Sequence, residues 1–440
     1  MPKGVTGIAV VGCGIIGSSV ANALRNETAL FKHRAGVTLQ LRHVIERDKP
    51  RARAAGIPEK LLSDNFDDTL NDKQTQVIVE LVGGLEPART FVLKALAAGK
   101  HVVTANKYLL AVHGKEILAA ARKNKVCVQF EASCGGAIPI IAALTESLLA
   151  NDITRVVGIV NGTCNYILTQ MTRNGQSYAD ALKGAQDAGF AERDPTFDVN
   201  GTDTAHKLAI LSALAFGAEV PFDAIERAGI DTLSDIDLKF GKELGYVCKL
   251  LAIGEKIGTK DSALSTQHSA LSLRVHPTFV STDHLLANVN GSFNAISVLG
   301  HAAGETLYYG RGAGGKPTSS AVISDIIEIA LGTAPLLFEK LPLLTDRKKL
   351  KFIPSSQIVA RNYLRVTALD VPGVLAHITN ILSKHGISLA AINQHESKSG
   401  QPVPIVITTH EAKDGDIAKA IADIDKLKTI TAPTVRIRVL

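Results

Sequence analysis

The sequence predicts an α/β protein built in three parts, on three observations. An apolar, β-branched run near the N-terminus leads into Gly-x-Gly-x-x-Gly and then a helical stretch. Strand and helix signals go on alternating to about residue 150, as in a doubly wound parallel sheet. The segment 361–440 has a strand and helix order of its own. The expected layout is a Rossmann-type dinucleotide-binding domain over 1–150, completed by 305–332. An α+β domain follows over 151–332, then a linker over 333–360 and a ferredoxin-like domain over 361–440.

Thr6–Val11 is expected to be a buried parallel strand and Ser18–Arg25 a helix. Between them Gly12 makes a tight turn, Gly14 admits a pyrophosphate to the backbone, and Gly17 packs helix on strand. The amides around Ile15 and Ile16 open the helix and suit an anion. A second strand, Thr38–Ile45, ends in Glu46-Arg47-Asp48, with Arg51 and Arg53 beyond. The acid suits the ribose diol of NAD; the arginines suit the 2′-phosphate of NADP. Arg47 followed by two more arginines favours NADP, although a solvated loop also accounts for the cluster.

Val77–Leu81 and His101–Thr104 are expected as strands, with a helix over Pro87–Ala98 between them. Thr104-Ala105-Asn106-Lys107 then falls at the carboxyl edge of the sheet, where ligands of such sheets bind. Lys107 points to that cleft, or is a surface lysine opening the next helix. Val126–Phe130 is expected as a strand, leading into Glu131-Ala132-Ser133-Cys134-Gly135-Gly136-Ala137-Ile138-Pro139 and a helix. Cys134 could be an activated nucleophile, but a small buried thiol is favoured. Glu131 with bent backbone carbonyls could instead hold a monovalent cation.

Beyond residue 150, Ile153–Val160 is expected as a strand, and Asn161-Gly162-Thr163-Cys164-Asn165-Tyr166 opens a helix. Five acids lie among turn residues between Ala185 and Lys207, before a helix over Thr204–Phe216. Asp203 and Lys207, four apart, share one helix face. Glu192 and Asp198 could converge there; a capped helix with a solvated ion pair is the plainer alternative. Ala270–Val275 and Ala287–Ile296 are expected as strands of a sheet with one solvated face. Glu305–Lys316, with Gly312, is expected as a flexible glycine loop that closes over the cofactor or is a plain surface loop, before a helix over Pro317–Ala330. Prolines and a basic run give 333–360 the composition of a linker. The strand–helix–strand–strand–helix–strand order after Tyr363 is that of a ferredoxin-like module, suited to dimerisation or to binding a small effector.

The 440 residues are 46% hydrophobic and 20% charged, which is ordinary for a globular enzyme. The net charge of +6 is scattered, with no basic run interleaved with aromatics, so neither nucleic acid nor a membrane is an expected partner. Five cysteines without metal spacing read as reduced thiols, and no leader or spanning run is evident, so the expected compartment is the cytoplasm.

The stretch Ala185–Lys207 resembles the signature of the homoserine dehydrogenase family through Ala185, Gly189, Phe190, Ala191, Asp194, Pro195, Asp198, Gly201, Asp203 and Lys207. The resemblance extends to Gly12–Gly17, Thr104–Lys107, Gly162–Tyr166, Asn288-Val289, Phe293-Asn294-Ala295 and Tyr309–Gly315. It makes 151–332 the catalytic and dimerisation domain. Residues 361–440 look like an ACT domain, and the chain looks like the monofunctional form. The resemblance implies exchange of L-homoserine and L-aspartate 4-semialdehyde on NADP or NAD, in threonine and methionine biosynthesis. Lys207 would be the general acid–base, and Lys107 would lie near nicotinamide and substrate. Asp203 would hold Lys207 or bind the substrate amine. Glu192, and less surely Asp198, would receive the ammonium. Arg47 matches the NADP-preferring members. Glu131, Cys134, Gly136 and Ile138 match a sodium site made mostly of backbone carbonyls. Asp370, Gly373, Val374 and Leu375 fall in an effector turn, suggesting threonine feedback. A homodimer or homotetramer is expected. The main rival, aspartate semialdehyde dehydrogenase, needs a cysteine nucleophile; a third reading is a non-catalytic nucleotide or threonine sensor.

Overall fold

Apolar runs and glycine turns at the N-terminus produce alternating strands and helices in the computed structural model, which describes residues 4–258, 270–394 and 401–440. In chain order these are β1 (Val5–Val11), α1 (Ile15–Asn26), β2 (Thr38–Ile45), β3 (Leu62–Ser63) and β4 (Thr75–Glu80). Next come α2 (Ala88–Ala97), β5 (His101–Thr104), α3 (Lys107–Lys123) and β6 (Val128–Gln129). The middle of the chain gives β7 (Ile153–Ile159), α4 (Gly162–Asn174), α5 (Thr202–Phe216), α6 (Asp235–Glu243), β8 (Tyr246–Ile257) and β9 (Ala270–Ser281). Then follow β10 (Phe293–Gly300), β11 (Gly304–Arg311) and α7 (Gly315–Leu331). The chain ends with β12 (Val359–Leu369), α8 (Val374–Lys384), β13 (Leu389–Gln394), β14 (Pro402–Thr409), α9 (Asp414–Ile424) and β15 (Ile430–Val439).

These elements form two compact units. The first comprises Met1–Gly162, Asp203–Ile225 and Ser292–Leu350. Its parallel sheet has the order β3-β2-β1-β4-β5-β6, and the order reverses between β1 and β4. That reversal leaves a crevice at the carboxyl ends of the strands, where a ligand can enter. Burial of β1 from Gly7 to Val11 explains its unbroken apolar run. In the same unit β7, β10 and β11 pair antiparallel, and α7 packs against α1.

The second unit comprises Thr163–Thr202, Glu226–Gly291 and Lys351–Leu440. Its strands run β8-β9-β15-β12-β14-β13. The last four strands with α8 and α9 are the expected ferredoxin-like module, cored by Leu364, Val366, Ile378, Leu382, Ile405, Ile407 and Ile417. The module is joined to the rest of its unit by more than a tether. β15 pairs parallel with β9 at Thr278↔Arg438 and Phe279↔Val439. Asp237 of α6, fully buried, accepts from the Tyr363 hydroxyl at 2.9 Å and from the Arg365 Nε and Nη2 at 2.6 and 3.0 Å. Arg438 reaches Glu226, outside the module, at 3.4 Å, while Asp414 pairs with Arg436 and Arg438 inside it.

Four expectations change. The strand placed over Ala287–Ile296 begins only at Phe293, because Leu285–Asn288 forms a 3₁₀ turn. The sheet has no solvated face at β9, which is buried along nearly its whole length. Half of the glycine loop Glu305–Lys316 is strand β11, its residues held by the ladder to β10. The supposed linker is structured: Thr333–Lys340 and Pro342–Thr345 are helical, and Lys348 forms a bridge with Ala218. Proline at the head of a short helix reads like a breaker when only composition is consulted.

A chain cut after residue 350 is therefore expected not to fold its second unit. β9 would lose β15, and Asp237 would keep a dry carboxylate without Arg365, which costs on the order of 3–5 kcal/mol. Expression of the cut chain should give insoluble protein or no cooperative melt; a soluble chain melting close to the full-length protein would contradict this.

Candidate active site

Gly12 adopts φ +93°, and a β-carbon there would lie 2.7 Å from the Leu81 carbonyl oxygen. At Gly17 a β-carbon would lie 1.9 Å from the Gly12 oxygen, so helix and strand touch where the motif requires. Gly14 precedes α1 without a side-chain cap, leaving the amides about Ile15 and Ile16 for an anion. Gly12, Gly14, Arg47 and Arg51 line a cavity of about 660 Å³. Glu46 lines the same cavity, and its oxygens accept from the Cys13 amide at 2.7 Å and the Asp48 amide at 3.1 Å. Of the three arginines, Arg53 is tied to Glu59 by two hydrogen bonds at 2.6 and 2.8 Å and does not line the cavity.

Lys107 is set by a chain of side chains at the carboxyl edge. Buried Glu80 accepts from the Thr104 hydroxyl at 2.6 Å and from the Val82 and Gly83 amides. Asn106 donates to the Gly84 carbonyl at 2.7 Å and caps α3 by accepting from the Leu109 amide at 3.1 Å. Lys107 is then the first residue of the helix, and its side chain is 40% exposed.

Its ammonium lies 3.0 Å from Oδ1 of Asp203. The other oxygen, Oδ2, accepts from the Lys207 Nζ at 2.8 Å and from the Asn161 Nδ2 at 2.8 Å. Lys207 also donates to the Val160 carbonyl at 2.6 Å. Asp203 and Lys207 are 6% and 9% exposed, so the solvated ion pair is excluded. Burial alone would raise the Asp203 carboxyl, but Lys207 and Lys107 beside it hold it well below the usual carboxylate range. Sequence reasoning found both lysines and the acid. It missed Asn161 and the Val160 carbonyl as partners, although both stand at the end of a quoted strand.

Cys134 is a small, fully buried thiol. Burial pushes its thiol up to about 12, and its sulfur donates to the Lys207 carbonyl at 3.8 Å. Nearby, Glu131 accepts from the Ile141 and Ala142 amides at 2.8 and 2.7 Å, while burial raises its carboxyl to about 7. Asp325, raised well above its ordinary value by burial and by Glu131, accepts from the Glu131 amide at 3.0 Å. Gly135 and Gly136 bend the segment with φ +73° and +59°, and a β-carbon on Gly136 would lie 2.5 Å from Gly312. Ile138 follows with its amide on the Gly135 carbonyl at 3.0 Å.

Glu192 and Asp198 belong to the second unit. Glu192 is exposed after the turn that ends the helix Tyr178–Asp187, and Asp198 lies in the short helix Thr196–Val199, half-buried. The same unit holds a feature the sequence did not announce. Lys249 of β8, 1% exposed, donates to the Val289 carbonyl at 2.5 Å and to the Asn165 Oδ1 at 3.2 Å. Asn165 in turn donates to the Val289 and Gly291 carbonyls at 3.1 and 2.9 Å, fixing the first turn of α4. In the C-terminal module Gly373 precedes α8, Val374 is buried and Leu375 exposed, and Asp370 accepts from Gln394 at 3.4 Å. All five cysteines are free, and no single described helix is long and apolar enough to cross a membrane.

Family models match three stretches: the homoserine dehydrogenase NAD-binding domain at 12–131, homoserine dehydrogenase at 139–327 and the ACT domain at 362–429. The homoserine dehydrogenase of Pseudomonas aeruginosa is 40% identical over 438 residues, covering 98% of each chain. The crystal structure of a homoserine dehydrogenase from Thiobacillus denitrificans superposes with a TM-score of 0.91 at 40% identity, covering 99% of this chain and 98% of that one. A hyperthermophilic archaeal homoserine dehydrogenase, solved in complex with NADPH, is 25% identical with a TM-score of 0.62, covering 75% of this chain and 98% of its own.

Lys249 supplies a pH test of the packing around Asn165. Burial lowers its ammonium from 10.5 to about 8. The unfolded chain keeps that proton to higher pH, so stability rises between about pH 8 and 10.5, and the cost of the dry charge is fully present below. Against Lys249→Met, which cannot titrate, the wild type should gain up to about 3 kcal/mol in denaturant unfolding across that window. Parallel stability curves for the two proteins would contradict a dry, charged Lys249.

Proposed function

Because this chain belongs to the homoserine dehydrogenase family, with an NAD-binding domain and an ACT domain, we propose a specific mechanism. It interconverts L-homoserine and L-aspartate 4-semialdehyde, with Lys207 as general acid–base. The observation that carries this reading is the buried Asp203 carboxylate shared by two ammonium groups, Lys207 at 2.8 Å and Lys107 at 3.0 Å. Two cations about one anion leave one net positive charge at the carboxyl edge of the sheet, where an alkoxide develops or collapses. The dinucleotide, when bound, supplies the hydride. Lys207 gives a proton to the aldehyde oxygen in reduction and takes it from the hydroxyl in oxidation. Lys107, the more exposed of the pair, polarises the carbonyl, and Asp203 holds both lysines in place. Glu192, with Asp198, receives the substrate ammonium.

Arg47 and Arg51 on the cavity wall support NADP as the preferred cofactor, because guanidinium groups suit a 2′-phosphate. Glu131 and the carbonyls of Cys134, Gly136 and Ile138 are hard oxygen donors and suit a sodium ion. Glu131 raises the buried Asp325, and burial with Glu328 raises Glu131, a crowding of carboxyl groups that such an ion would relieve. The module's turn at Asp370, Gly373, Val374 and Leu375 supports threonine feedback, and the family supports assembly as a homodimer or homotetramer. The rival reading through a reactive cysteine loses its candidate in Cys134, buried and with its thiol near 12.

Initial rates with homoserine against both cofactors, with and without threonine, test the reading as a whole. Lys207→Ala should lower kcat about a thousandfold or more while leaving cofactor affinity within about twofold. A variant that keeps a tenth of the wild-type rate would remove Lys207 from the role, and a wild type inert toward homoserine would end the proposal. Sodium, compared with a large inert cation at about pH 8, should raise the melting temperature of the wild type and not of Glu131→Gln. Equal shifts in the two proteins would argue against the cation site.

A further inference from the structure

Asn294, the second residue of β10, is 1% exposed, and neither its Nδ2 nor its Oδ1 meets a hydrogen-bond partner. Among the described residues it is the one side chain orphaned at both ends. Buried polar atoms without partners are uncommon and costly, and a pair of them on one amide points to a missing ligand group. The amide lies flat on Gly312, where a β-carbon would come 2.0 Å from its Nδ2 and 2.4 Å from its Oδ1. On another side is Gly162, where a β-carbon would come 3.7 Å from its Oδ1. Asn161, next in the chain to Gly162, donates to Asp203. The cover over Asn294 is thus a glycine, in a turn whose other glycine, Gly314, has φ +125°.

That turn has a second end. It runs into α7, whose first residue, Gly315, abuts Ser19 and Ile15 at the head of α1: a β-carbon there would lie 2.9 Å from the Ser19 Oγ and 3.2 Å from Ile15. One end therefore sits on the dinucleotide loop and the other on Asn294, and all of these residues belong to one compact unit. A carboxylate would satisfy only Nδ2, and an ammonium only Oδ1. A primary carboxamide satisfies both at once, giving N–H to Oδ1 and taking N–H from Nδ2 in one plane.

We propose that Asn294 is a further cofactor-binding residue, its amide pairing with the carboxamide of the nicotinamide when the Gly312–Gly314 turn lifts from it. This rests on the dehydrogenase reading above. The test is calorimetric binding of oxidised NADP and of its 3-acetylpyridine analogue, a ketone that keeps the acceptor and lacks the N–H donor. Both are titrated into full-length wild type, Asn294→Ala and Asn294→Asp, with homoserine kinetics alongside. The wild type should bind the native cofactor at least about tenfold more tightly than the analogue. Asn294→Ala should bring the two within about threefold of each other, leave the homoserine KM within about twofold, and leave the melting temperature of the unliganded protein no lower, because the removed amide had no partner to lose. Asn294→Asp, which keeps an acceptor and loses the donor, should weaken both cofactors and cover the case of an ill-folded alanine variant. Unchanged cofactor discrimination in both variants, or a rise in the homoserine KM alone, would overturn the assignment. A wild type that discriminates between the cofactors but does not turn over homoserine would sink the reaction and leave Asn294 where it is placed.

Discussion

One buried carboxylate organises the candidate site. Asp203 stands 6% exposed yet stays ionised, because Lys207 and Lys107 face its two oxygens and Asn161 donates to one of them. Removing either lysine would leave the other paired; removing the acid would leave the buried Lys207 ammonium without its counter-ion and close to Lys107, which is far more costly. The arrangement therefore fixes lysines from two distant stretches of chain, one opening α3 and one a turn into α5. Its surplus positive charge lies ready before any substrate arrives, which is what stabilisation of a developing alkoxide requires.

The same device recurs, with carboxylates serving backbone geometry more than ligands. Glu80 ties the turns after β4 and β5 and so sets the direction in which Lys107 leaves the sheet. Glu46 braces the glycine loop through the Cys13 amide. Glu131 caps the start of the helix after Pro139. Asp237 binds the C-terminal module into the sheet of its own unit, and Asp414 ties α9 to β15 within the module.

Much of this was legible because it rests on spacing. A strand, three glycines and a helix can do little else than form β1, its loop and α1. The four-residue interval between Asp203 and Lys207 put both on one face. What escaped was whatever depends on long-range pairing. The Val160 carbonyl has no side-chain signature. Lys249 looks like any lysine in an apolar strand until β9 and the turn after Leu286 close over it. Residues 333–345 have linker composition but form helices, one headed by Pro342. Asn294 was visible only as part of a resemblance, and its two unpartnered atoms show only in three dimensions. Glu192 and Asp198 belong to the second unit, and substrate kinetics test their part.

The most direct measurement of the central claim replaces the shared acid with its neutral isostere. Steady-state oxidation of homoserine by Asp203→Asn should show kcat/KM reduced by about two orders of magnitude or more, while cofactor affinity stays within about twofold of the wild type. A loss smaller than about threefold in kcat/KM would show that the two lysines do not depend on the carboxylate between them, and would contradict the account.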